Sequence, residues 1–157
     1  MYREASMERT HLSRHELGQY SFLVEQKQLL QTQIAEIELE LEELCKYEMR
    51  ISPVYSGLPS GNEFRDKMAD FIIKMEENRN RLQTKHSMLI AESSTIEYSL
   101  HQILVSIRQV PHLQVREILT WHYIEGKSII EYADTHYISP NAIYKKLGRY
   151  FSNKKQL

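Results

Sequence analysis

Apolar residues fall at Leu30, Ile34, Ile37, Leu41 and Leu44, and return at Met68, Phe71, Met75, Leu82 and Leu89. Steps of four and three keep one line of side chains facing a partner helix, which is the pattern of a coiled-coil seam. Leu23 lies one heptad before the first series, and Asn78 and Lys85 stand as polar interruptions in the second. A further series, Leu89, Ser93, Ile96, Leu100, Ile103, Ile107 and Val110, joins at Leu89 through two successive steps of four. Such a stutter implies locally relaxed supercoiling. Glu36, Glu38, Glu40, Glu42 and Glu43 fill the positions between seam residues, as on a solvated helix face.

The stretch ISPVYSGLPSGN (51–62) holds two of the four Pro and two of the five Gly, so no helix is expected to pass through it and it reads as a linker or turn. Neither residue occurs between positions 62 and 110. A continuous helix there would be roughly 73 Å long at about 1.5 Å per residue. Its apolar stripe requires the first helix folded back as an antiparallel hairpin, a second copy of the chain, or both. With Glu, Leu, Gln, Ile and Lys plentiful, the expected fold is all-α: a long N-terminal coiled-coil hairpin followed by a small C-terminal helical domain. Residues 1–15 read as a flexible or short helical N-terminus, 16–110 as the coiled-coil and oligomerisation region, and 111–157 as the C-terminal domain.

The formal net charge is −1 but it is unevenly spread. Residues 1–110 carry 13 Lys and Arg against 17 Asp and Glu, residues 111–157 carry 7 against 4, and no acidic residue follows Asp134. Contact with a polyanion is therefore expected at the C-terminal end. Cys45 is the only cysteine, which excludes an intrachain disulfide and fits a reducing compartment. The polar opening MYREASMERTHLSRHELG and the lack of an 18-residue apolar run point to a soluble, cytoplasmic protein without membrane partners.

Pro111 is expected to stop the long helix or kink it at the boundary with the C-terminal unit. Beyond it, Val115, Ile118, Leu119 and Tyr123 mark one face of a helix over 113–126, with Gly126 placed as its cap. Ser128 and Glu131 form a capping box at a second helix start, and Ser139 followed by Pro140 opens a third. The short turn between the last two helices is that of a helix-turn-helix, with Ile130, Ala133, Ile138, Ile143 and Leu147 as its expected core. Asn141, Tyr144, Lys145 and Arg149 then face outward. Asn pairs with adenine edges, Arg and Lys with guanine or phosphate, and Tyr with the thymine methyl or a phosphate oxygen. Lys127, Ser128, Ser139, Lys146, Lys154 and Lys155 are the expected phosphate contacts, the serines through free N–H groups at helix starts.

The stretch HYIEGKSIIEYADTHYISPNAIYKKLGRY resembles region 4 of sigma-70-type factors, in the positions of Glu125, Gly126, Ser128, Glu131, Tyr132, Ala133, Ile138, Ser139 and Ile143. The resemblance spans about forty residues. The wider arrangement is similar to RinA/ArpU-type phage late-gene regulators, which implies a transcription activator on a phage promoter in a bacterial host cell, with double-stranded DNA and bacterial RNA polymerase as partners. In the family's turn an apolar residue precedes Gly or Asn, where this chain has His136 and Tyr137. Tyr at positive φ is unfavourable, so a reshaped turn is expected. Gly148, destabilising inside a helix, points to a shortened helix or a close neighbour.

Two other readings keep the helices and change the partner. One is an adaptor that binds polymerase or another protein through its stalk, and the other is a small-terminase-like DNA-packaging protein. His11 and His15 are four apart but no further ligand pattern accompanies them, and Trp121 and Tyr123 read as core or interface aromatics. No phosphate-binding Gly loop and no nucleophile with a matched base occurs, so neither enzyme activity, metal nor cofactor is expected. A homo-oligomer is.

Overall fold

The computed structural model describes residues 12–55 and 62–152. Helix α1 spans Arg14–Tyr55, α2 Asn62–Arg108, α3 Leu113–Leu119, α4 Ile129–His136 and α5 Pro140–Ser152, and a π turn over Thr120–Ile124 follows α3. No strand occurs among the described residues. The fold is all-α.

α1 starts at a reciprocal cap: Ser13 Oγ accepts from the Glu16 amide at 3.2 Å, and the Glu16 carboxylate accepts from the Ser13 amide at 2.8 Å. It continues through Pro53 to Tyr55, into the stretch expected to be a linker or turn. A proline this close to a helix end removes one ladder bond without ending the backbone path. Residues 56–61, the rest of the Pro/Gly stretch, lie outside the described residues.

α1 and α2 pack antiparallel, as the side-chain contacts Lys27–Glu97 (3.4 Å), Glu38–His86 (3.0 Å) and Glu48–Arg79 track in opposite directions along the two helices. The inward face is the expected seam. Leu30, Ile37 and Leu82 are buried, and Ile34, Leu41, Leu44, Met68, Phe71, Met75 and Leu89 are half-buried. The stutter lies one heptad earlier than expected. Lys85 points to solvent and His86 takes the inward position, so the two steps of four run Asn78, Leu82, His86. An ammonium at Lys85 would lose hydration in the seam, whereas the imidazole at His86 reaches Glu38.

The chain divides into two compact units. One is Gln28–Thr95, the central part of the hairpin. The other joins, among the described residues, 12–27 with 96–152. Its core includes Leu12 and Leu17 before and in α1, Ile103, Ile107 and Val110 at the end of α2, and Val115, Ile118, Leu119, Ile129, Tyr132, Ala133, Ile143 and Leu147 from the short helices. The C-terminal unit therefore extends beyond the 111–157 boundary read from sequence. Three short helices cannot enclose a core of this size alone, and the ends of the long helices complete it.

Candidate nucleic-acid interface

The site is built from α3 upward. His112 caps α3, its Nδ1 accepting from the Val115 amide at 3.4 Å. The Arg116 guanidinium donates twice to the Val110 carbonyl, at 3.1 and 2.7 Å, and so closes the end of the preceding segment onto α3. The helix does not run regularly to Gly126 as expected. Instead the Glu125 amide bonds the Thr120 carbonyl at 2.9 Å across a wide π turn. Tyr123 packs against the core that includes Ile118 and Leu119. Gly126 then stops the turn with φ 71°, the left-handed conformation that glycine adopts without a Cβ clash.

Ser128 caps α4, its hydroxyl accepting from the Ile130 amide at 3.2 Å. This start places Ile129, Tyr132 and Ala133 on the buried face and leaves Ile130 57% exposed, which corrects the expected core by one position. Ala133 is buried to 1% exposure, as the close approach of α4 and α5 requires. Tyr132 is held from three sides: edge-on by Trp121, stacked on His136 with ring centres 3.9 Å apart, and through its hydroxyl to Glu117 at 3.3 Å. Burial first, and the Glu117 carboxylate second, push the Tyr132 phenol above its ordinary value.

The turn is not reshaped. Tyr137 occupies the left-handed position itself, at φ 55° and ψ 41°, and the Ile138 amide reaches back to the Ala133 carbonyl at 3.0 Å. That is the bond pattern of a Schellman stop, with tyrosine in the place usually held by glycine. Ser139 then opens α5, its hydroxyl 3.4 Å from the Ala142 amide.

On α5 the buried pair Ile143 and Leu147 sets the phase. Asn141, Tyr144, Lys145 and Arg149 all lie exposed on the other side, within an arc of about 140° at 3.6 residues per turn. Neither Lys145 nor Arg149 pairs with a carboxylate among the described residues. The expected phosphate contacts divide. Ser128 and Ser139 are exposed caps, and Lys127 is exposed but lies 3.0 Å from Glu125 and 4.2 Å above the Trp121 ring. Lys146 is half-buried and donates to Gln114, tying α5 to α3 instead of facing outward. Lys154 and Lys155 lie outside the described residues.

Sequence reasoning passed over the cleft beside α4, a cavity of about 360 Å³ lined by Arg116, Glu117, Thr120, Trp121, Glu125, Tyr132 and His136. It forms at the π turn, which has no marker in the sequence. Among the described residues no cluster of His, Cys, Asp and Glu could hold a metal ion, and no helix is long and apolar enough to cross a membrane. His11 lies outside the described residues, while His15 is within 3.0 Å of Gln19. No family model, curated protein or solved structure matches the chain.

Proposed function

We propose that this chain is a sequence-specific DNA-binding transcription regulator of the phage or mobile-element late-gene type, acting as a homo-oligomer in a bacterial cytoplasm. The observation that carries this reading is the outer face of α5, where Asn141, Tyr144, Lys145 and Arg149 stand exposed while Ile143 and Leu147 anchor the helix. An α-helix with its side chains is about as wide as the major groove, roughly 12 Å, so these residues would reach base edges while the serine-capped helix starts meet phosphates. The absence of acidic residues from α5 suits that partner. RNA polymerase is a second partner in this reading.

Binding to a random duplex library at about 0.15 M salt, with sequencing of the retained DNA, tests it. The expected result is an enriched motif with two related half-sites, lost in Lys145→Ala plus Arg149→Ala while the oligomer persists. Retention without enrichment would leave a basic patch alone, and no retention would favour the adaptor.

A further inference from the structure

Gly148 lies in the third turn of α5, and glycine in a helix interior is destabilising relative to alanine because the unfolded chain loses more freedom. Two local explanations are open for such a residue: the helix ends there, or a neighbour packs too close for a Cβ. Neither holds. α5 continues to Ser152, and a Cβ added at Gly148 would meet nothing within 4 Å. No contact within the chain offsets the glycine.

Its position on the wheel is the informative part. At about 100° per residue Gly148 falls within the arc set by Asn141, Tyr144, Lys145 and Arg149, between Tyr144 and Asn141. The longest side chains thus flank a notch whose floor is helix backbone. Seven residues separate Asn141 from Gly148, about 10 Å along the axis, or about three base-pair steps of a duplex. A helix that entered a groove end-on would use its first turn and leave Gly148 out of reach.

We infer that α5 seats lengthwise against duplex DNA, with Gly148 as the point of closest approach between helix backbone and DNA. The inference rests on the DNA-binding reading above and adds the seat to it. Tyr144, Lys145 and Arg149 straddle the notch, and a methyl group at 148 would hold the helix away from the groove and lengthen every contact beside it.

The test compares wild type, Gly148→Ala and Asn141→Ala for affinity to the duplexes that the wild-type chain enriches from a random library. Thermal melting and sedimentation of the free proteins accompany it. Gly148→Ala is expected to melt a few degrees higher, as a helix interior favours alanine, to keep its oligomeric state, and to bind DNA about ten-fold or more weakly. Wild-type affinity in a folded Gly148→Ala, with binding reduced in Asn141→Ala, overturns the lengthwise seat and leaves the DNA reading in place. A change of oligomeric state without a change of affinity also overturns it, assigning the notch to a second copy of the chain. If the wild-type chain retains no duplex, both the reading and the seat fail.

Discussion

Replacing Tyr137 by Gly should stabilise the protein, and the size of the gain follows from two features of that residue. Its backbone is left-handed, φ 55° and ψ 41°, and its side chain is 97% exposed. The first means that the Cβ is crowded by the following carbonyl, at about 1–2 kcal/mol for an L residue. The second means that removing the ring gives up almost no buried area. Against the relief stands the greater freedom of glycine in the unfolded chain, about 0.4–1 kcal/mol. The net expectation is a gain of about 0.5–1 kcal/mol. Tyr137→Ala keeps the Cβ and its strain and should lie within about 0.5 kcal/mol of wild type, the usual range for an exposed position. Trp121, the only tryptophan, belongs to the same compact unit and reports its unfolding by fluorescence. In urea, with m of about 1–3 kcal/mol per molar, Tyr137→Gly should move the midpoint up by about 0.2–1 M at unchanged m. A midpoint equal to or below that of Tyr137→Ala would refute the reasoning, since it would mean that the turn carries no left-handed strain.

Two further predictions concern the same unit. Ile143→Ala empties a site with 0% exposure between α5 and the core, and should cost about 2–5 kcal/mol, read as a lowered urea midpoint. Tyr123, Tyr132 and Tyr150 are each pushed above the ordinary phenol value of 10.0, burial being the largest cause in all three. The folded state therefore holds their protons longer than the unfolded chain. The stability they contribute is whole below pH 10.0 and falls as pH rises through the folded values, so the midpoint should drop on the alkaline side, less steeply in Tyr132→Phe.

The hairpin was legible because its signal repeats: ten seam positions at steps of three, four and seven define one face, and all ten are buried or half-buried. Where a choice rested on one residue, the reading slipped. Lys85 and His86 are adjacent and either could continue the seam, a contest that charge hydration decides only once Glu38 is known to lie opposite. Ile129 and Ile130 pose the same problem in an eight-residue helix, though Ile129, Tyr132 and Ala133 at spacings of three and four did carry the answer. Ser13 and Glu16 spelled out the start of α1 in the same capping form that identified α4. The burial of Leu12 and Leu17 had no such marker, because it arises from packing between segments far apart in sequence. On the candidate face, the exposed positions of Asn141, Tyr144, Lys145 and Arg149 followed from Ile143 and Leu147 four apart. Lys146 did not, because its orientation depends on Gln114.

Within one chain the two long helices already cover the face of Leu30, Ile37 and Leu82. Large apolar side chains off the seam remain exposed, among them Phe22 and Tyr98 in the unit that carries α5. Within this unit Ile103, Ile107 and Val110 of the long-helix end share one core with Ile143 and Leu147 of α5, and Arg116 clasps the Val110 carbonyl. No flexible tether separates those elements. A subunit contact made at the helix ends would accordingly fix the separation of two α5 faces by packing, and the proposed regulator would then demand one half-site spacing, whereas subunits joined through a loose linker would tolerate several.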